Sequence, residues 1–289
     1  MELYMNKLLI LSLSVSAMVI AGCSQGNDDT SAEKSVSESE MAGVPETIEK
    51  TVQQDGNKAA VTMALLNPNR SDQDRADDEV RKAADVLQFT GIMPGMTVLE
   101  MEAGGGYYTQ ALSYLVGAEG KVIRQNPAAF DAFMKPEDLA ARFGEDGNRF
   151  ANVEHLKVNF DAFETIADDS VDVVTWFLGP HELFFTPEDG NTFGTPEKSY
   201  AEIYRVLKPG GKFIALDHKA TPGAPETTGN TTHRIDPDTV KARVAEAGLV
   251  FKQASNILAN SKDDYNLNVF DPSVRRKTDR FLHMYEKPE

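Results

Sequence analysis

One cysteine, Cys23, stands among 289 residues, so no disulfide can form within the chain. Cations are outnumbered: 29 lysines and arginines face 45 aspartates and glutamates, for a formal net charge of −16. A body of that sign is not steered toward nucleic acid or an anionic membrane surface, and neither is expected as substrate. No two of the histidines stand at metal-ligand spacing, so no metal is expected. There is no internal repeat. The apolar stretch from Leu8 to Ile20 is too short to span a bilayer. What remains is a length that suits one large α/β domain with appendages, burying roughly 70–75% of its unfolded surface.

The lone cysteine is informative through its place. Met5-Asn6-Lys7 precedes a mostly apolar run that ends Val19-Ile20-Ala21-Gly22-Cys23. A basic residue, a short apolar region and small residues before a cut site describe a secretory signal over residues 1–22. Ile20-Ala21-Gly22-Cys23 resembles a bacterial lipobox, which implies cleavage before Cys23 and lipidation of its thiol. Contact with the membrane is then expected through that lipid only. Ser24 follows where an aspartate would favour inner-membrane retention, so the periplasmic side of the outer membrane is expected in a Gram-negative cell. Residues 23–45 are polar, acidic and serine-rich, a composition that cannot offset its own ordering entropy and reads as a disordered tether. Between residues 24 and 56 stand eight acids and two lysines, so this stretch holds −6 of the net charge.

The body, residues 46–289, alternates helices with strands. Glu46 to Leu66 reads as a helix stopped by Asn67-Pro68-Asn69. Ser71 reads as the N-cap of another, with Val80, Ala83, Ala84 and Leu87 on one apolar face, so helices occupy 46–90 and are expected over the mouth of the site. Strands follow at 97–101, 121–123, 155–158, 171–176, 213–216, 249–253 and 281–285. Short helices are expected at 127–134 and 136–143, a longer one carries Tyr200, Ile203, Tyr204 and Leu207, and Asp236-Pro237 opens the last. Lys208-Pro209-Gly210-Gly211 reads as a tight turn. Strands alternating with helices mean a doubly wound, mostly parallel sheet covered on both faces.

The centre of this pattern is Val98-Leu99-Glu100-Met101-Glu102-Ala103-Gly104-Gly105-Gly106-Tyr107-Tyr108-Thr109. A short apolar run ends in an acid, crosses three glycines and opens a helix whose apolar face is Tyr108, Ala111, Leu112, Leu115 and Val116. Strand, glycine turn and helix make the opening unit of a nucleotide-binding fold, where a cofactor approaches the backbone too closely for a Cβ. A phosphate-cradling loop needs Ser or Thr where the nearest candidate, Gly117 to Val122, has Val122. A dinucleotide fingerprint needs a third glycine where Thr109 stands, and an acid after the second strand, where Arg124-Gln125-Asn126-Pro127 has none. The third reading is the acidic-x-G-x-G-x-G turn of S-adenosylmethionine sites, with Glu100 as the acid, Gly104 and Gly106 as later glycines, and Glu102 in place of the first.

Taken with Asp161 after the third strand, the strand Asp172-Val173-Val174 and the turn Leu207-Lys208-Pro209-Gly210-Gly211-Lys212, the turn resembles class I S-adenosylmethionine-dependent methyltransferases across nearly the whole body. Asp217-His218-Lys219-Ala220, His233-Arg234-Ile235-Asp236 and Phe270-Asp271-Pro272 through Phe281 are similar to a bacterial group of predicted methyltransferases. The resemblance implies a Rossmann-like sheet with an antiparallel last strand and S-adenosylmethionine as cofactor. It implies that Glu100 orients the ligand, that Gly104, Gly105, Gly106 and Tyr107 pass beneath it, that Asn126 meets the ribose, and that Asp161 accepts from the adenine amino group unless it is an ordinary loop acid. Phe177 is expected at the cofactor as well. The acceptor, a small molecule, should lie beyond strands four and five. There His181, and after it His218, are candidates for a base or an acceptor-orienting group, or for structural histidines. Trp176 stacks on a planar ligand or packs in the core, and His233 and Arg234 are candidate substrate contacts. Arg275-Arg276-Lys277 is an anion site or a solvated basic cluster. Two functions are weighed: methyl transfer from S-adenosylmethionine, and a non-catalytic, envelope-anchored module that binds a small ligand on the same fold.

Overall fold

Alternation along two strands sets the layers. In β1 (Thr97–Met101) and β4 (Val171–Phe177), Val98 and Val173 point to one face of the sheet while Leu99 and Val174 point to the other, and all four are buried. Strands buried on both faces must be covered twice, which is the physical content of a doubly wound fold. In the computed structural model, which describes residues 46–188 and 190–289, this is what the chain does. The expected leader, the lipidated Cys23 and the tether lie outside the described residues.

The sheet has seven strands in the order β3-β2-β1-β4-β5-β7-β6. These are β2 (Lys121–Asn126), β3 (Val153–Lys157), β5 (Leu207–His218), β6 (Val250–Ser255) and β7 (Arg280–Glu286), besides β1 and β4. Strands β1 to β5 run parallel, and β7 inserts antiparallel to both β5 and β6. One face is covered by α1 (Glu46–Leu65), α3 (Ala83–Thr90) and α4 (Tyr107–Val116), the other by α6 (Pro196–Val206) and α8 (Pro237–Glu246). Each fully buried aliphatic side chain contributes about 1.5–3 kcal/mol.

Several local expectations hold to the atom. Ser71 Oγ accepts from the Asp74 N–H at the start of α2 (Asp72–Arg81), and Asp236 from Asp238 at the start of α8; the cap of α6, where Thr195 accepts from Lys198, is an addition of the structure. Others are corrected. The helix read from Ser71 to Leu87 is two, because Lys82 takes a left-handed conformation (φ +50°) that turns the axis. Val80 is therefore exposed, and the buried face of α3 is Ala83, Val86, Leu87 and Thr90. The segment Lys208-Pro209-Gly210-Gly211 is not a turn between elements. It is a bulge inside β5, across which the register against β4 jumps from Val171–Leu207 to Val173–Lys212. The first of the two short helices expected after β2 is a 3-10 helix at Ala128–Phe133, and the second is α5 (Pro136–Phe143). No helix among the described residues is long and apolar enough to cross a membrane.

Candidate active site

The glycine turn leaves β1 at the carboxyl edge of the sheet. Glu102 (φ +51°), Gly104 (φ +52°) and Gly106 (φ +83°) take left-handed conformations there, and the end of β2 holds them. Gln125 accepts the Glu102 N–H at 3.0 Å, its backbone carbonyl accepts from Ala103, and its amide donates to the Val158 carbonyl at 2.6 Å. Asn126 Oδ1 accepts the Gly104 N–H at 2.8 Å, and its Nδ2 and the Arg124 guanidinium donate to the Gly104 carbonyl. Asn126 is thus buried against the turn and does not face a ribose, contrary to the expectation from the resemblance.

Beside the turn opens a cleft of about 640 Å³, within the range of small-molecule sites. A Cβ added at Gly104 or Gly105 would meet no protein atom within 4 Å, whereas one at Gly106 would strike the Phe143 ring at 2.3 Å. The expected residues Glu100, Gly104, Gly105, Tyr107 and Phe177 line this cleft, whereas Asn126, Asp161 and Gly106, the last of which faces Phe143, do not. Asp161 instead accepts the Thr195 N–H at 3.4 Å, with Lys198 at 4.0 Å. Glu100 is 4% exposed and accepts from Thr109 Oγ1 at 2.6 Å. Burial raises its pKa to about 7, against the Thr109 hydrogen bond and the charges of Arg124 and Arg142. The Tyr107 hydroxyl donates to Asp78, and the Tyr107 ring lies 4.3 Å from the Arg81 guanidinium. Tyr108 packs edge-on to Phe177 at 4.7 Å, and burial pushes its phenol up to about 12.

The opposite wall was not legible in the sequence. Arg142 of α5 forms a two-pronged ion pair with Asp74 of α2 (2.6 and 2.9 Å) and donates to Gln110 of α4 at 2.8 Å. This pair straps two helices together beside the cleft, and Asn69, Asp77 and Arg81 complete the wall. Of the leading helices only α2 lines the cleft, whereas α1 and α3 pack on the sheet. Arg276 pairs with Asp77 at 2.5 Å, so this member of the basic cluster meets α2.

Beyond β4 lies a second group of polar residues. Leu178 is left-handed (φ +64°), and a Cβ at Gly179 would stand 1.9 Å from Glu102 Oε2 and 2.0 Å from Trp176 Nε1, so glycine is required there. Trp176 is not a ligand platform. It is fully buried, packs on Phe160 at 4.8 Å and donates to Glu102 Oε2 at 2.9 Å. Arg234 is likewise withdrawn from any substrate: it is fully buried in a two-pronged pair with Asp263 (2.9 and 3.0 Å) and donates to the carbonyls of Lys219 and Leu267. Two groups that the spacing rules kept apart, by contrast, meet. His181, on a 3-10 helix at Pro180–Phe184, places Nδ1 at 2.9 Å from Asp217 of β5 and Nε2 at 3.3 Å from Glu182. His233 Nδ1 stands 3.3 Å from His181 Nε2 and 3.6 Å from Glu182 Oε1. Asp217 is fully buried and also accepts the N–H groups of His181 and His218.

Burial alone would lower the pKa of His181, but the charge and hydrogen bond of Asp217, followed by those of Glu182, hold it well above the ordinary range. Glu182 falls to about 2, because His181 and His233 outweigh its burial. Glu102, which lines the cleft and faces the same group, is pushed well above the carboxylate range by burial and then by the Glu182 charge. His218 moves the other way: burial and the charge of His181 lower it, and its Nδ1 is paired with Thr278 Oγ1 at 2.6 Å.

A family model described as a methyltransferase domain matches residues 92–264. Among curated proteins, the ubiquinone/menaquinone biosynthesis C-methyltransferase UbiE of Hydrogenovibrio crunogenus is 30% identical over 135 residues, and that of Shewanella sp. (strain ANA-3) is 29% identical over 131. The matched stretch is 45% of this chain and 45–46% of theirs, so the chain spans about half the length of these relatives. Among solved structures, geranyl diphosphate C-methyltransferase from Streptomyces coelicolor, in complex with Mg2+, geranyl diphosphate and S-adenosyl-L-homocysteine, superposes with a TM-score of 0.53 at 14% identity, over 78% of this chain and 87% of that one. The [4+2]-cyclase SpnF superposes at 0.50 and 16% identity, over 82% and 96%. Both structural likenesses are of fold.

Proposed function

This chain belongs to the methyltransferase-domain family, and we propose that it binds S-adenosylmethionine in the cleft beside the glycine turn and passes the methyl group to a small-molecule acceptor. The observation that carries this reading is the turn: at Gly104 and Gly105 a bound molecule can approach the main chain where a side chain would otherwise stand. S-adenosylmethionine supplies a sulfonium-bound methyl group, an electrophile that needs alignment with an acceptor more than activation. The start of α4 has no capping side chain, and with the Arg81 guanidinium it offers positive potential to the carboxylate of the ligand. Glu100 suits its ammonium group, and Tyr107, Tyr108 and Phe177 offer aromatic surface to the sulfonium. The acceptor side is the far end of the cleft, past Phe177 and Leu178.

The test is calorimetric titration of S-adenosylmethionine and S-adenosylhomocysteine into the full chain. Micromolar binding is expected, about −8 kcal/mol. Gly105 is the discriminating position, because it lies outside the left-handed region and a side chain there meets only the cleft. Gly105→Leu should keep the wild-type Tm and lose affinity by roughly a hundredfold, about 2.7 kcal/mol. Unchanged binding by that variant would remove the turn from the site. A second reading, ligand binding without transfer, is favoured by Asn126, whose amide is engaged by Gly104. Tight binding with no turnover across acceptors would support it. The protein is further proposed to be held at the bacterial cell envelope by a lipid on Cys23, a reading supported by the leader pattern and the polar tether.

A further inference from the structure

We propose that His181 Nε2, Glu182 Oε1 and His233 Nδ1 hold one divalent transition-metal ion, of the class that zinc represents. The three atoms form a nearly equilateral triangle with edges of 3.3, 3.6 and 3.3 Å. Bonds of about 2.0–2.1 Å from zinc to nitrogen or carboxylate oxygen give a tetrahedron with edges of about 3.3–3.4 Å, so the triangle is one face of such a site. All of the ligand atoms lie within 4.8 Å of one another.

Hydrogen bonding alone leaves this arrangement unresolved. Asp217 faces His181 Nδ1 with both oxygens, at 2.9 and 3.0 Å, and a carboxylate only accepts, so Nδ1 carries the proton. With both rings protonated, His181 Nε2 and His233 Nδ1 can each donate to Glu182 Oε1, but the two ring nitrogens then face each other at 3.3 Å with a proton on each and no acceptor between them. A cation at the centre that displaces those protons satisfies all three edges at once. Asp217 has the place of the carboxylate that fixes the tautomer of a metal-binding histidine. It is itself fixed by the N–H groups of His181 and His218.

Neighbouring elements hold the ligand-bearing segments in place. The short helix α7 (Thr228–Thr231) packs on the 3-10 helix of His181, where a Cβ at Gly229 would stand 2.6 Å from the His181 carbonyl oxygen. Buried Arg234 and the Ile235 N–H to His218 carbonyl bond then pin the segment that carries His233. The side chains of Glu182 and His233 are 13% and 15% exposed against 4% for His181, so the fourth coordination position opens on their side. Two nitrogens and one carboxylate favour zinc and its neighbours over magnesium or calcium, which take oxygen. An ion here would stand as a Lewis acid near Glu102, the residue shared with the cleft. The inference does not depend on which ligand the cleft takes.

The experiment is titration of zinc ion into the chelator-dialysed full chain by calorimetry, with cobalt ion as an optical probe of geometry. One equivalent is expected to bind at micromolar concentration or tighter, and cobalt is expected to give the visible bands of a tetrahedral site. His233→Ala and Glu182→Gln should each abolish the cobalt bands and weaken zinc binding more than Asp217→Asn, for which a loss of roughly 10–100-fold is expected. Far-ultraviolet circular dichroism of the metal-free variants checks that each is folded, and either ligand variant suffices for the test. Absence of zinc binding at millimolar ion, or equal affinity in wild type and a folded ligand variant, would overturn the site.

Discussion

Glu100 and Glu102 stand two residues apart at the end of β1, and both are pushed toward the neutral form. For Glu100 the cause is burial, which raises its pKa from 4.5 to about 7. Between those values the native chain holds a proton that the unfolded chain has released, so stability falls as pH rises from about 4.5 to about 7 and is level above. The full span is about 3 kcal/mol. Glu100→Gln still accepts from Thr109 and cannot ionise. Its Tm should match wild type near pH 4.5 and exceed it increasingly up to pH 7. A difference independent of pH would show that burial of the charge is not the cause. At this scale the sequence was legible where a residue acts through its own backbone, as at Gly104. It left Trp176 open between ligand stacking and core packing, and it misplaced Arg234, whose charge suggested contact with a substrate. Their partners, Glu102 and Asp263, are 74 and 29 residues away and draw both side chains into the core.

Caps and prolines located the helices, yet one helix boundary escaped because Lys82 carries no signal of a left-handed residue. Glycine takes that conformation without strain, so Lys82→Gly should stabilise the chain by about 0.5–1 kcal/mol. In a continuous helix the same change would cost about 1 kcal/mol. The midpoint of urea unfolding at constant slope distinguishes the two by sign. The bulge in β5 escaped for a related reason. Pro209, Gly210 and Gly211 carry turn chemistry, and it is pairing with Lys287 on the far side that keeps them in the strand.

Over the whole molecule, charge is divided along the chain, and the proposed attachment at Cys23 precedes every residue of the cleft in sequence. The stretch 24–56 holds −6 of the −16, and the rest of the charge lies on the body that carries the cleft. An acidic body near an anionic membrane needs a covalent hold, since charge alone would repel it. Cys23→Ala should therefore abolish incorporation of a labelled fatty acid and move the protein from the membrane fraction to the soluble fraction. Retention of both label and membrane association would remove the lipid from this account.

The sequence by itself determined the layers, the strand–glycine–helix unit and the family, because each rests on periodicity or on residues within a few positions of one another. Only the tertiary structure decided which side chains face each other at the carboxyl edge of the sheet. His181 and His233 are 52 residues apart, and Arg142 and Asp74 are 68 apart. No spacing along the chain encodes such pairs. They meet because loops from different strands end at the same edge, and because Gly179 and Gly229 let those loops approach more closely than a Cβ would permit.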